Sequence, residues 1–114
     1  MPFSRGDVVL VLYPNSDLRT AKRRPALVVQ SDDVATGLPQ RVVAMITSNL
    51  ARTGPTRVSV SRESSEGRAM GILTDSVVVA DNLATVFERE IDRRLGSCPA
   101  MSAVDQALRV ALAL

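Results

Sequence analysis

The feature that most constrains the fold is a series of short apolar runs, rich in β-branched residues and separated by polar turn residues. These runs span residues 8–12, 26–30, 41–48, 56–62, 71–80 (in the two pieces 71–73 and 76–80) and 84–87. Runs of this length suit strands better than helices, and β-branched side chains pack well on a pleated sheet. About six short strands in close succession predict a mainly β fold, a small curled antiparallel sheet or barrel.

The polar segments between these runs are predicted to be turns and loops. Residues 14–23 form a loop of about ten residues, which is longer than most hairpin connections, and such loops are often functional. Residues 63–68 are predicted to form a further loop, and Asp81 with Asn82 a turn that closes a strand. Residues 88–91 are predicted to form one helical turn.

The C-terminal segment shows the spacing of an amphipathic helix over residues 104–114. Ser102 and Asp105 match a capping box, with Ser102 as N-cap. Asp105 and Arg109 are four residues apart on the polar side, where an ion pair is expected. The apolar face comprises Val104, Ala107, Leu108, Ala111 and Leu112. The helix is therefore predicted to pack on the open face of the sheet.

Length and residue counts narrow the possible functions. A chain of 114 residues fits one domain, residues 1–114, and no apolar run reaches the length of a membrane span. Because the N-terminus also lacks the apolar region of a signal peptide, a cytoplasmic protein without membrane contact is expected. The single cysteine, Cys98, excludes an internal disulfide and is expected to be a small buried side chain. The absence of histidine removes the commonest general base and transition-metal ligand.

Positive charge is concentrated where Lys22, Arg23 and Arg24 run into Pro25. Residues 1–62 carry nine Lys and Arg against four Asp and Glu, which is compatible with a phosphate-rich partner. Arg24 precedes a proline and should be extended, so it is predicted to lie at the entrance of the second strand. A guanidinium fixed there could bind a phosphate through two hydrogen bonds. The alternative interpretation is a solvated basic turn beside a core strand.

Several segments, in order, resemble the MazF/PemK/Kid toxins of bacterial toxin–antitoxin systems. The opening at residues 5–9, the Arg-Pro strand at 23–29 and the strand end Met-Ile-Thr-Ser at 45–48 are similar to that family. The stretch at 75–86 and the terminal helix are similar as well. The resemblance implies an SH3-like small barrel with a C-terminal helix, assembled as a homodimer. It also implies a metal-independent endoribonuclease, with no cofactor, that cuts single-stranded RNA at short sequences. The tail of a cognate antitoxin protein would occupy the same groove as the RNA.

The resemblance places the family's catalytic pair on Arg24 and Thr47. An acidic residue that some members use falls near Asp81, but those members carry an arginine where this chain has Val79, and a histidine that it lacks. Residues expected to contact RNA are Asp17, Arg19, Thr20, Lys22, Arg23, Ser48, Asn49 and Arg52. The first loop departs from the sequence of better-known members, so the RNA sequence that is cut does not transfer.

Two further functions are compatible with the sequence. One is a non-enzymatic toxin of the CcdB type, which shares the architecture and acts by binding gyrase. The other is a relative that binds RNA and has lost cleavage. The Arg-Pro strand and the Ile-Thr-Ser strand end favour the ribonuclease, although a shared fold does not by itself fix function.

Overall fold

The computed structural model describes residues 3–34 and 36–114 and contains six strands and two α-helices in this part of the chain. The strands are β1 (Asp7–Pro14), β2 (Ala21–Val28), β3 (Gln40–Thr47), β4 (Arg57–Val60), β5 (Ser76–Phe87) and β6 (Ile91–Ser97). The helices are α1 (Ser65–Met70) and α2 (Met101–Leu112). A 3-10 turn over Glu88–Glu90 confirms the predicted helical turn.

The strands form one antiparallel sheet in the order β4-β5-β3-β2-β1-β6. Within the described residues the edge strands β4 and β6 do not pair, so the sheet is curled but not closed into a barrel. The prediction of a curled antiparallel sheet with a C-terminal helix is thus confirmed, and the sheet is open instead of forming a closed barrel. No helix in the described ranges is long and apolar enough to cross a membrane.

Each face of the sheet buries its own apolar cluster. On one face, side chains from the strands pack with Met70 of α1 and Val104 of α2. On the other face the cluster combines residues of β1, β2, β3, β5 and β6. There the Tyr13 hydroxyl donates to the backbone oxygen of Asn82 at 2.8 Å, which joins two strands that are not neighbours. The sheet therefore curls around its second cluster instead of covering it with a helix.

The second strand begins earlier than predicted, so the first loop is shorter. Because β1 extends to Pro14, it pairs with β2 as far back as Ala21 and leaves only residues 15–20 as loop. Lys22, Arg23 and Arg24 accordingly lie inside β2 and not in a loop or at its entrance. Pro25 also lies inside β2, where it pairs with Leu10 of β1. The β2–β3 ladder runs only over Ala26–Val28, so Pro25 lies just beyond the end of that ladder and its missing N–H leaves no gap there.

The fifth strand contains a bulge where a turn was predicted. Met45 pairs with Val79, but the preceding Ala44 pairs with Leu83. Residues 80–82 thus have no partner on β3, and the strand continues through Asp81 and Asn82 to Phe87. A β-bulge bends a strand without ending it, which explains why turn-forming residues were misread.

Three more segments differ from the predictions. Residues 63–68 are mostly helix, because Ser64 caps α1 by accepting from Gly67 N–H at 3.0 Å and Gly71, with φ of 72°, ends it. Residues 71–73 are loop and not strand. Strand β6 was not predicted, since Asp92, Arg93 and Arg94 give it the polar sequence of an exposed edge.

The terminal helix begins at Met101, and the predicted capping box is wrong. Ala100 is the N-cap and makes no side-chain cap hydrogen bond. Instead of capping the helix, the Asp105 carboxylate accepts from Arg5 Nη2 at 2.7 Å, and it forms no recorded ion pair with Arg109 in the described structure. Of the predicted apolar face, Val104 and Ala107 are buried, whereas Leu112 is 51% exposed.

Candidate active-site groove

A groove of about 560 Å³ is lined by residues of β1, β2, β3, β5 and β6 and by the turn and loop residues 48 and 71–74. Its cationic lining residues are Lys22, Arg23, Arg24 and Arg93, and its hydroxyl residues are Thr47, Ser48, Thr74 and Ser76. The remaining lining residues are apolar or glycine, and no carboxylate is among them. The Asp92 carboxylate, outside the lining, lies 3.7 Å from Arg23 and 3.9 Å from Arg93 and compensates part of this charge. The lining keeps an excess of positive charge beside apolar surface, which suits an anion with apolar parts.

The strand register brings Arg24 and Thr47 together, on the face of the sheet that carries the second cluster. Ala26 pairs with Met45, and two residues farther along each strand stand Arg24 and Thr47, opposite each other on the same face. Hydrogen-bonded pairing of β2 with β3 has already stopped at this point, which leaves space between the strands. Both residues line the groove, so the structure brings together two of the three predicted catalytic residues.

The Arg24 side chain is half-buried and has a neutral partner. Its Nη2 donates to Asn15 Oδ1 at 3.2 Å. Among the described residues no carboxylate lies within ion-pair distance of its guanidinium. Burial raises the pKa of nearby Tyr13 to about 12, although the positive charge of Arg24 opposes this shift. Tyr13 is buried, and Arg24 retains an uncompensated charge that can face a phosphate.

Thr47 is held by the turn that follows β3. Its Oγ1 accepts from Asn49 N–H at 3.1 Å, and Asn49 Oδ1 in turn accepts from Ala51 N–H at 3.1 Å. The Thr47 hydroxyl proton remains available to a ligand oxygen. Ser48 lines the groove, whereas Asn49 and Arg52 lie in the exposed turn outside its lining.

The β1–β2 loop contains three of the predicted RNA-contact residues, and two of them hold the loop together. Asp17 accepts from Arg19 N–H at 2.9 Å, from Thr20 N–H at 3.0 Å and from the Thr20 hydroxyl. These hydrogen bonds, first that of Arg19, hold the pKa of Asp17 below its ordinary value. Arg19 is exposed, and none of the three lines the groove.

Asp81 lies in the β5 bulge, outside the groove lining. Its carboxylate accepts from Arg57 Nε at 2.8 Å and Arg57 Nη2 at 3.0 Å, and from Thr56 Oγ1 at 3.0 Å. The Arg57 hydrogen bonds are the main reason that the pKa of Asp81 is lowered. The third predicted catalytic residue is therefore paired with Arg57 and lies outside the lining to which Arg24 and Thr47 belong.

Arg93 is the charged groove residue that sequence reasoning missed, and the groove hydroxyls of Thr74 and Ser76 were not predicted either. Arg93 pairs with Leu10 in the β1–β6 ladder, which brings its charge to the groove from the far end of the chain. Only the pairing of β6 with β1 reveals this, since the local sequence looks like a solvated charged stretch. Cys98 is buried as predicted, and burial raises the pKa of its thiol. Among the described residues, no three His, Cys, Asp or Glu side chains are grouped to hold a metal ion.

The sequence and the structure of the chain are both similar to those of known proteins. Residues 4–112 match the sequence pattern of the PemK-like, MazF-like toxins of type II toxin–antitoxin systems. The chain is 35% identical to endoribonuclease MazF6 of Mycobacterium tuberculosis over 119 residues, covering 100% of both proteins. It is 29% identical to endoribonuclease EndoA of Bacillus subtilis, covering 100% of this chain and 97% of EndoA. The structure of a mycobacterial endoribonuclease in complex with its cognate antitoxin superposes with a TM-score of 0.74 at 28% identity. That superposition covers 98% of this chain and 96% of the endoribonuclease.

Proposed function

Because the chain belongs to the PemK-like, MazF-like toxin family of type II toxin–antitoxin systems, we propose that it is an endoribonuclease toxin. Its substrate is single-stranded RNA, cut at short sequences without a metal ion or cofactor. One observation carries the proposal: Arg24 and Thr47 share a groove whose lining has four cations and no carboxylate. A polyanion is attracted to such a groove, and its phosphate can reach both side chains.

The proposed reaction uses the RNA's own 2′-hydroxyl as nucleophile. The hydroxyl oxygen attacks the adjacent phosphorus, the bond to the 5′-oxygen breaks, and a 2′,3′-cyclic phosphate and a 5′-hydroxyl end result. Negative charge grows on the phosphate oxygens in the transition state. Arg24 stabilises this charge through its guanidinium, and Thr47 donates a hydrogen bond to the same oxygens.

The ionisable groups of the groove determine how protons are transferred in the proposed reaction. The guanidinium of arginine is a permanent cation in proteins, so Arg24 serves as charge stabiliser and not as base. The groove lining holds no carboxylate, and the chain has no histidine. In this proposal the 2′-hydroxyl loses its proton to solvent, and the leaving 5′-oxygen takes a proton from solvent. Asp81 takes no part in these transfers and anchors the β5 bulge. Cleavage without a positioned base should be slow.

The remaining groove residues supply binding. Lys22, Arg23 and Arg93 contact phosphates along the strand, and Ser48 adds a hydroxyl. The turn and loop residues Asn49, Arg52 and Arg19 lie outside the lining and extend the binding surface for flanking nucleotides. These contacts are mainly to phosphate, so they set affinity more than sequence choice.

The proposed assembly is a cytoplasmic homodimer in which residues 1–114 act as one toxin domain, neutralised by a cognate antitoxin whose tail enters the groove. Exposed apolar side chains on and just after α2, Val110 and Leu114, are available for a subunit contact. Analytical ultracentrifugation checks this part: a dimer is expected at micromolar concentration, and a monomer there would contradict it.

Cleavage of a long RNA in EDTA, followed by mapping of the new ends, tests the proposal. Discrete cuts with 5′-hydroxyl ends are expected from the wild type and should be lost in Arg24→Ala and Thr47→Ala. Arg62→Ala is the matched control, since Arg62 is an exposed arginine outside the groove lining. Intact RNA together with inhibition of gyrase would replace the proposal with a protein-binding toxin. RNA retention without cuts would indicate a binder.

A further inference from the structure

Hydrogen bonds in the β1–β2 loop lead in a continuous path from Asp17 to Arg24. The Thr20 hydroxyl donates to Asp17 Oδ2 at 2.9 Å, and its oxygen accepts from Asn15 Nδ2 at 2.9 Å. Asn15 Oδ1 then accepts from Arg24 Nη2 at 3.2 Å. We call these four residues the loop network. We propose that Asn15 is a positioning residue for RNA cleavage, because the loop network holds the guanidinium of Arg24, which lines the groove, in one orientation. This inference rests on the proposed endoribonuclease function.

The order of donors and acceptors in the loop network has only one consistent direction. An ionised carboxylate can only accept, so the single hydroxyl proton of Thr20 goes to Asp17. The Thr20 oxygen is then left as an acceptor and selects the amide nitrogen of Asn15. The amide oxygen of Asn15 must therefore face Arg24. Asp17 thus determines, through three successive hydrogen bonds, that the amide oxygen of Asn15 is the acceptor of the Arg24 guanidinium.

The backbone keeps this arrangement in place. Asn15 N–H donates to Thr20 O at 2.9 Å, and Leu18 N–H donates to Asn15 O at 3.0 Å, which closes the loop on itself. Leu18 adopts a left-handed conformation, with φ of 62°, that allows this tight turn. Asn15 thus has little freedom to move away from Arg24.

A neutral acceptor suits this task better than a carboxylate. An arginine side chain loses considerable rotamer entropy when it is fixed, so fixing it before RNA binds improves catalysis. A carboxylate partner would fix it equally well but would also compensate its charge, as Asp81 does for Arg57. Asn15 orients the guanidinium and leaves its full charge for the phosphate.

Cleavage kinetics on Asn15 and Thr20 variants test the proposal. Asn15→Ala should lower kcat about tenfold to a hundredfold with little change in KM, because the geometry of the transition-state contact is lost. Asn15→Asp should be more impaired, since it adds a negative charge beside Arg24. Thr20→Val should show a smaller loss of kcat, and Thr20→Ser, which keeps the hydroxyl, should restore the wild-type value.

The control is Ser16→Ala in the same loop, because the exposed Ser16 side chain makes no hydrogen bond with the described residues. It should cut RNA like the wild type. An equal loss of kcat in Ser16→Ala and Asn15→Ala would overturn the proposal in favour of a general loop effect. Wild-type kcat in Asn15→Ala, or failure of Thr20→Ser to restore kcat, would overturn it as well.

A spectroscopic measurement separates this inference from the proposed function. The Arg24 Nε–Hε NMR resonance of the RNA-free protein should shift in Asn15→Ala and Thr20→Val but not in Ser16→Ala. If the wild type fails to cut RNA, the proposed function fails, whereas this shift still shows that Asn15 positions Arg24. An unchanged resonance in Asn15→Ala would remove the structural basis of the inference.

Discussion

Two arginine sites on the same sheet illustrate opposite uses of a guanidinium. In the β5 bulge, Arg57 forms two hydrogen bonds with Asp81, at 2.8 and 3.0 Å, and the charges compensate each other. In the groove, Arg24 contacts the neutral amide of Asn15 at 3.2 Å. The first arrangement serves to anchor a strand, and the second leaves a charge available for a ligand. The partner of each arginine, more than its exposure, therefore indicates its role.

Asp81 was a catalytic candidate because it falls near an acidic residue that some members of the family use. The sequence around Asp81 does not show whether its carboxylate is free or paired. Arg57, its partner, is 24 positions earlier and reaches it because β4 pairs with β5. Charge compensation across strands is not visible in the sequence around Asp81.

The largest expected effect is that of removing the uncompensated charge. Arg24→Ala should lower the RNA cleavage rate about a hundredfold or more, because a preorganised group facing developing charge is lost. Arg24→Lys should restore little activity, since lysine cannot form the paired hydrogen bonds of a guanidinium. Initial cleavage rates in EDTA provide the measurement, with circular dichroism to confirm folding. A wild-type cleavage rate in Arg24→Ala would show that the uncompensated charge of Arg24 is not used in cleavage.

Thr47→Val should have the next largest effect. Valine keeps the β-branched shape but removes one hydrogen bond to the phosphate, so the cleavage rate should fall about tenfold. The variant also removes the acceptor for Asn49 N–H and should lose about 1 kcal/mol of stability. Thr47→Ser keeps the hydroxyl and should retain most activity. Equal rates for the valine and serine variants would remove Thr47 from the mechanism.

Asp81→Asn tests the compensated site, where stability and not activity should change. Loss of the ion pair with Arg57 should lower the free energy of unfolding by about 1 kcal/mol, a modest value because both side chains are partly exposed. The cleavage rate should stay near that of the wild type. Urea unfolding and cleavage assays on the same preparation distinguish the two outcomes, and a large rate loss would indicate that Asp81 takes part in catalysis.

The pH dependence of the same variant sharpens this test. The pKa of Asp81 is held below its ordinary value of 3.8, so the ionised carboxylate stabilises the folded state at neutral pH. The stability difference between wild type and Asp81→Asn should persist at pH values above 3.8. It should disappear as the pH falls through the lowered folded-state pKa. A difference that grows on acidification would contradict the ion-pair assignment.

Tyr13→Phe should have the smallest effect on stability and cleavage. The Tyr13 side chain lies between the β5 bulge and Arg24 of the groove. The Tyr13 hydroxyl donates to Asn82 in the bulge, and its ring lies beside Arg24. Phenylalanine keeps the buried ring, so the loss should be about 1 kcal/mol of stability with near-normal cleavage. Thermal unfolding measures the change. A strong loss of cleavage in a folded Tyr13→Phe would mean that the bulge and the groove act together.

Much of the fold was predictable because its signals are local. The apolar runs that became β1, β3 and β5 were recognised, and so was the C-terminal helix by its apolar spacing. Strand β6 and helix α1 were missed, because an edge strand with a polar sequence and a helix of six residues carry weak local signals. The capping box failed because Arg5, from the other end of the chain, holds Asp105.

The sequence alone determined that short apolar runs would form a sheet and that Arg24 would stand in extended backbone before Pro25. These properties depend on side-chain shape and backbone sterics within a few residues. Only the tertiary structure decided that Arg24 stands opposite Thr47, that Arg93 joins them, and that Asp81 does not. Strand register and strand order bring together residues far apart in the chain. The compensation of each charge depends on those distant neighbours.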